Sequence, residues 1–390
     1  MPGSSPRRAV REVTLYLIRA LDAHLSKNDF AMTPNQHPFT RGVIEGFYGR
    51  SWSWEAREAY ADFLAANGFG FYLYAPKDDN GLRRQWREPW PDSHVEKLHQ
   101  LASVYSDHGV DWGIGFSPYE IYLSFDKDAE TALHQKIESI NHLNPDILCV
   151  LLDDMKGDVP ELAEKQADIF NRIADQSNAR RLILCPTYYS FDPILEKVFG
   201  EMPKGYWDVL GKRIDPSVDF FWTGPKVCST EYPKPHLKEV SERLGRKPFL
   251  WDNYPVNDSE SRSKRLYLGA YENRPPELAD LATGHAVNPM NQPWLSQIPI
   301  WTLGDSYRSE SSYDPAASQI AAIETLCDPE MAKALLEDAP LFQEQGLDGF
   351  TDDQKRALIQ KYSRFHSPAA EEVVDWLQGG YKFDPTCLTE

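Results

Sequence analysis

Residues 147–154 read Ile147-Leu-Cys-Val-Leu-Leu152-Asp153-Asp154, six apolar positions closed without a spacer by two carboxylates. A run of that length and composition reads as a buried strand. Outward from it, from residue 42 on, short apolar runs rich in β-branched and aromatic residues alternate with amphipathic stretches. The strand-like runs are 42–46, 70–74, 111–116, 147–152, 182–185, 218–222, 248–251 and 298–303. Helical periodicity falls at 54–66, 94–108, 130–143 and 160–174, where Ile169, Phe170 and Ile173 illustrate the buried stripe. Eight such units predict an α/β fold, a TIM (β/α)8 barrel over residues 40–307. After Tyr307 the strand-like runs stop, and 316–326, 329–336, 351–365 and 369–377 predict a helical C-terminal domain over 308–390.

Residues 1–39 are expected to be an N-terminal extension, helical or partly disordered. Val10, Val13, Leu17, Leu21 and Leu25 fall at helical spacing, which fits either an amphipathic helix or sequence upstream of a start at Met32. Arg7, Arg8 and Arg11 precede a short apolar patch, but Glu12 intrudes and Arg19 follows, a poor match to a secretory leader. Five cysteines (149, 185, 228, 327 and 387) are odd in number and widely spaced, and three lie in or just after apolar runs. They read as small buried hydrophobes in a reducing compartment, so a cytoplasmic location is expected.

The formal net charge of -18 opposes nucleic acid or an anionic membrane as partner, because binding by counterion release needs clustered Lys and Arg. No transmembrane-length apolar stretch and no internal repeat is present in the sequence. A metal hydrolase would need a pattern such as His-Glu-x-x-His or Cys-x-x-Cys, which is missing. Gly113-Ile-Gly-Phe-Ser117 is not the Gly-x-Ser-x-Gly elbow of a serine hydrolase. No cofactor and no metal are expected.

In a TIM barrel, chemistry sits at the C-terminal ends of the strands, so the residues that close each apolar run carry the functional reading. Asp153 and Asp154 close the fourth run; alternation along a strand would oppose them, but at its last position the next residue already belongs to the loop. Two nearby carboxylates favour a division of labour, one donating a proton while the other stays charged. That suits glycosidic bond cleavage. The two-carboxylate retaining mechanism needs the groups on either side of the bond, about 5 Å apart, which adjacent residues supply poorly. A substrate-assisted route fits better, in which a 2-acetamido oxygen attacks the anomeric carbon, one Asp orients the N–H and the other protonates the leaving oxygen. The bland alternative is a helix N-cap, for which Asp is a preferred residue. Other closures weigh against it: Lys77 after the second run, Tyr188 and Tyr189 after the fifth, and Asn253 after Trp251 in the seventh resemble a sugar pocket with aromatic walls and hydroxyl-binding polar groups.

These segments, over roughly residues 40–307, resemble glycoside hydrolase family 84, which includes the protein O-GlcNAcases and bacterial N-acetylglucosaminidases. The resemblance rests on Val43-Ile-Glu-Gly-Phe-Tyr-Gly-Arg50, Tyr72-Leu-Tyr-Ala-Pro-Lys-Asp-Asp79, Leu151-Leu-Asp-Asp154, Cys185-Pro-Thr187 with Tyr189, Trp222-Thr-Gly-Pro-Lys-Val227, Trp251-Asp-Asn253 with Asp258, and Asn288-Pro289. It implies that Asp153 polarises the acetamido group and that Asp154 is the general acid and later base. It further implies that Tyr189 assists at the acetyl group or the oxazoline, and that Asn253 sits beside Asp153 and the acetamido nitrogen. Asp258 and Asn288 would hold distal sugar hydroxyls, Lys77 and the backbone of Gly46 the remaining ring hydroxyl, and Trp251 the pocket wall. The bland readings are a turn for Gly46, a surface charge for Lys77, core for Trp251 and a pre-proline turn for Asn288.

The chain departs from the eukaryotic pattern at Tyr188, where that pattern has an acidic residue. The residues before the barrel are expected to be too few for the N-terminal domain of some bacterial members, and no acetyltransferase-like domain is expected after the helices. The expected partner is a GlcNAc-containing glycan or glycoprotein, and the helical region offers an aglycone groove or a homodimer contact. Two other readings stay open: a non-catalytic GlcNAc-binding barrel, and a hydrolase of amino-sugar oligosaccharides such as hyaluronan or chitin fragments.

Overall fold

The computed structural model describes residues 37–387. The helical reading of residues 10–25 and the start at Met32 lie outside the described residues. Strands β1 (Thr40–Glu45), β2 (Phe71–Tyr74), β3 (Asp111–Phe116), β4 (Ile147–Leu151), β5 (Arg181–Cys185), β6 (Asp219–Trp222), β7 (Phe249–Asp252) and β8 (Gly284–Val287) close into a barrel in sequence order. Each pairs parallel with its neighbours, and β8 returns to β1 with Thr40 opposite Gly284 and Val43 opposite Val287. The TIM barrel expected from the sequence is therefore the observed fold.

Helices α1 (Trp54–Ala66), α2 (Asp92–Asp107), α3 (Lys127–His142), α4 (Leu162–Ala174), α5 (Ile194–Phe199), α6 (Tyr206–Arg213), α7 (Lys234–Leu244) and α8 (Leu278–Leu281) connect the strands. Local chemistry starts several of them: Ser53 accepts from Ala56 N ahead of α1, and Asp126 accepts from Ala129 N ahead of α3. Each cap satisfies a donor that the first helical turn leaves unpaired. Among the described residues no helix is long and apolar enough to cross a membrane.

One expected strand is wrong. Residues 298–303 lie inside helix α9 (Pro293–Ser309), and the eighth strand is the short run Gly-His-Ala-Val at 284–287. The physical reason is that α9 is buried on opposite faces. Ile300 and Leu303 join the barrel core, while Leu295 and Ile298 join a second core. A helix apolar on both sides loses the polar stripe from which its period is read.

That second core is built by α10 (Pro315–Leu326), α11 (Pro329–Pro340), α12 (Gly346–Gly349), α13 (Asp352–Tyr362) and α14 (Pro368–Leu377). Phe342, Tyr362 and Trp376 fill it, and Leu266, Leu268 and Met290 from the barrel loops pack into it. The loops after β7 and β8 are thereby held from the helical side.

Close strand packing in the barrel depends on small residues. A Cβ placed on Gly42 would stand 2.3 Å from Phe71 O, a backbone atom locked in the β1–β2 ladder. Gly42→Ala is expected to destabilise the fold by about 3 kcal/mol, since overpacking against backbone cannot relax by a rotamer change. Denaturant unfolding of the two proteins measures it, and a loss below roughly 0.5 kcal/mol, the range of ordinary surface changes, would contradict the packing argument.

Candidate active site

A cavity opens at the C-terminal ends of the strands. Its lining includes each of the nine residues singled out from the sequence: Gly46, Lys77, Asp153, Asp154, Tyr189, Trp251, Asn253, Asp258 and Asn288. They arrive from the ends of β1, β2, β4, β5, β7 and β8, as expected when parallel strands deliver their final residues to one face.

Adjacent carboxylates reach the same cavity because the backbone turns between them. Leu152 is fully buried and anchored by Leu152 N to Cys185 O at 2.9 Å and by Thr187 Oγ1 to Leu152 O at 2.6 Å. Asp154 then takes φ +55°, the left-handed region that non-glycine residues enter rarely and Asp more readily than most. Such a conformation costs of order 1 kcal/mol and persists only where surrounding contacts impose it. The pair caps no helix: α4 begins at Leu162, with Glu161 at its cap position.

The two carboxylates have different partners. Lys77 Nζ stands 2.5 Å from Asp153 Oδ2 and 3.9 Å from Asp154 Oδ2. The Lys77 side chain is only 4% exposed, so it is not a surface charge. Asp154 is held by two phenols, Tyr48 OH donating to Oδ2 at 2.8 Å and Tyr189 OH to Oδ1 at 3.1 Å. Burial, with the neighbouring Asp154 charge, pushes both phenols far above their usual range, so they stay neutral donors at any working pH. Arg83 Nη2 donates to Tyr48 OH at 3.2 Å and to Asp154 O at 3.3 Å, fixing the strained turn. Asp153 Oδ1, by contrast, is buried and meets no hydrogen-bond donor among the described residues.

The loop carrying Lys77 is pinned by Asp79, which accepts from Tyr74 OH at 3.0 Å and Trp90 Nε1 at 3.2 Å and meets His94 Nε2 at 3.1 Å. Opposite, Asn253 Oδ1 accepts from Trp251 Nε1 and from Asn288 Nδ2, both at 2.9 Å. Asn253 Nδ2 donates to Val227 O at 2.8 Å, and Gly46 N to Asn288 Oδ1 at 3.3 Å. Gly46 permits close approach, since a Cβ there would lie 2.6 Å from the Trp251 ring. Asp258 Oδ2 accepts from Tyr48 N at 2.9 Å, and burial pushes its carboxyl up to about 6 against the pull of that N–H and of Arg262.

Tyr188 turns away from the cavity, its OH donating to Gly200 O at 2.6 Å and its ring packing on Tyr206. Tyr48 and Arg83 were not singled out from the sequence. Tyr48 lies inside the segment 43–50 already noted, two residues past Gly46, and was findable as a polar group just beyond a strand end. Arg83 sits in a loop with no pattern to mark it.

A family model described as β-N-acetylglucosaminidase matches residues 41–339. The chain belongs to the β-N-acetylglucosaminidase family. The match runs past the barrel into α11, further than the resemblance drawn from motifs. Protein O-GlcNAcase of Rattus norvegicus is 32% identical over 281 residues, covering 70% of this chain and 30% of the relative. That of Mus musculus matches to the same extent. The chain thus spans about a third of the length of these two relatives. A solved structure of a mutant Thermobaculum terrenum O-GlcNAc hydrolase is 30% identical, with a TM-score of 0.71 over 87% of this chain and 81% of that one.

The raised carboxyl of Asp258 makes a pH prediction for this member of the family. Its folded pKa of about 6 exceeds the unfolded carboxylate's value of roughly 4, so the native state binds the proton more tightly. The stability this supplies is complete below about pH 4 and is lost as pH rises through about 6. Asp258→Asn, neutral throughout, is expected to remove that part of the slope of Tm between pH 4 and 7; an unaltered slope would mean Asp258 does not titrate there.

Proposed function

We propose that the chain is a retaining exo-β-N-acetylglucosaminidase that removes terminal β-linked GlcNAc of the O-GlcNAc type, through an oxazoline formed by the substrate's own acetamido group. The observation that carries this reading is the buried Oδ1 of Asp153, which lacks a donor while Oδ2 is held by Lys77. A buried acceptor left unmatched costs about 1–3 kcal/mol, which a ligand N–H relieves. The acetamido N–H of GlcNAc is a donor of that kind, and drawing on it makes the amide oxygen a better nucleophile.

The acetamido oxygen attacks C1 as the bond to the aglycone breaks, and Asp154 gives its proton to the departing oxygen. Water, deprotonated by the same Asp154, then opens the oxazoline and restores the β configuration. The phenols of Tyr48 and Tyr189 hold the Asp154 carboxyl in register, and rotation of the Tyr189 hydroxyl brings it onto the acetyl group. Asp258 and Asn288 take distal hydroxyls. Lys77, with three N–H donors, has one to offer a ring hydroxyl beside the backbone of Gly46, and the Trp251 ring forms the wall.

Relatives named protein O-GlcNAcase and O-GlcNAc hydrolase support a protein-linked sugar over chitin fragments, and the net charge of -18 disfavours polyanionic hyaluronan. Burial of Cys149 and Cys185, whose thiols are pushed well above their usual range, fits a reducing cytoplasmic setting.

The direct test compares 4-nitrophenyl β-N-acetylglucosaminide with the matching β-glucoside, which lacks the acetamido group. Only the former is expected to be cleaved, and comparable rates would end the case for an internal nucleophile. Asp154→Asn is expected to slow substrates with poor alkyl leaving groups at least about 100-fold more than the activated aryl substrate, because only the poor leaving group needs the proton. Equal losses would take Asp154 out of the acid role.

A further inference from the structure

Helix α9 starts directly after the loop that carries Asn288 and Asn291, and it lacks a local cap. Gln292 at the cap position makes no side-chain cap bond and Pro293 has no N–H, so Trp294 N and Leu295 N are the first donors in need of partners. Both find one residue of α14. Glu372 accepts from Trp294 N at 3.0 Å through Oε1 and from Leu295 N at 2.8 Å through Oε2, and it is 6% exposed.

The same helix reaches two more loops of the cavity rim. Trp376 Nε1 donates to Ser263 O at 3.1 Å, behind Asp258, and Asp375 Oδ2 pairs with Arg50 Nη1 at 2.9 Å, beyond Gly46 and Tyr48. The loop that Glu372 anchors is itself a junction. Asn291 Nδ2 donates to Tyr48 O at 2.9 Å and Arg50 O at 3.0 Å, Trp52 Nε1 donates to Met290 O at 3.0 Å, and Asn288 joins Asn253 to Gly46.

We propose that Glu372 is a positioning residue for the sugar-binding wall: by capping α9 from α14 it fixes residues 288–292, and through them the Asn288–Asn253–Gly46 contacts. This rests on reading that wall as the binder of the sugar. Glu372 touches no reacting atom, so its effect falls on sugar binding rather than on the Asp153–Asp154 chemistry. Removing its carboxyl leaves the buried Leu295 N and the half-buried Trp294 N without their acceptor and lets the start of α9 fray into the loop. Burial pushes this carboxyl up to about 8 against the pull of the two N–H groups.

The test uses the full chain, the 4-nitrophenyl β-N-acetylglucosaminide and amide hydrogen exchange. Glu372→Ala is expected to raise KM about tenfold with kcat within about threefold, and to speed exchange at residues 288–295. Glu372→Gln keeps one acceptor but turns an amide NH2 toward the other backbone N–H, so it is expected to raise KM and speed exchange in the same direction, by less than Ala. A lowered Tm with unchanged KM and unchanged exchange would make Glu372 a stabilising cap only and overturn the proposal. If the Ala variant does not fold, Glu372→Asp, one methylene short of the α9 amides, is expected to shift KM and exchange in the same direction, and no shift overturns it. Should the parent protein leave the aryl sugar untouched, the functional reading fails, and exchange at 288–295 alone decides the positioning role.

Discussion

Closure of the barrel between β8 and β1 is the constraint on which the site depends. The hydrogen bond from Gly46 N to Asn288 Oδ1 spans 242 positions of sequence, and it forms because Val43 and Val287 pair just before the two strands end. Parallel strands all finish on one face, so a ring of eight converts residues scattered over most of the chain into the wall of one cavity. An open sheet of the same strands would leave Gly46 and Asn288 at opposite edges.

Within that ring, charge is managed in two layers. Below the cavity, burial opposes ionisation of Asp252, yet Arg274 and His285 hold its carboxyl down at about 2. This places a fixed charge network directly under Asn253. At the cavity itself Lys77 sits between Asp153 and Asp154 and is much closer to the former. Breaking a buried pair of this kind by removing one partner costs about 3–5 kcal/mol, which ties the geometry of the cavity to the stability of the barrel. The unequal placement of the cation is also what makes two chemically identical side chains inequivalent, one ion-paired and one held by neutral phenols.

The C-terminal helices act on the same cavity from outside. They share a core with α9 and with Leu266, Leu268 and Met290, residues of the loops that follow β7 and β8. α9 is therefore packed from both sides, and the loops at either end of β8 have little freedom to move independently of the helices.

Much of this was legible in the sequence because it is local. Apolar runs at strand length and the helical stretches between them gave the barrel, and polar residues at the strand ends gave Lys77, Asp153, Asp154, Tyr189 and Asn253, whereas Gly46, Asp258 and Asn288 came from the family resemblance. Each of those signals is set by neighbouring residues competing for burial or for water. The failures are non-local. Residues 298–303 look like a strand because α9 is apolar on both faces, and only the packing of a second core explains why. The left-handed turn that brings Asp154 into line with Asp153, the contact of Arg83 with Asp154 and the capping of α9 by Glu372 leave no trace in composition or period. They arise from atoms that meet only after the ring has closed, and that meeting, rather than any propensity of the residues, decides which atoms face the cavity.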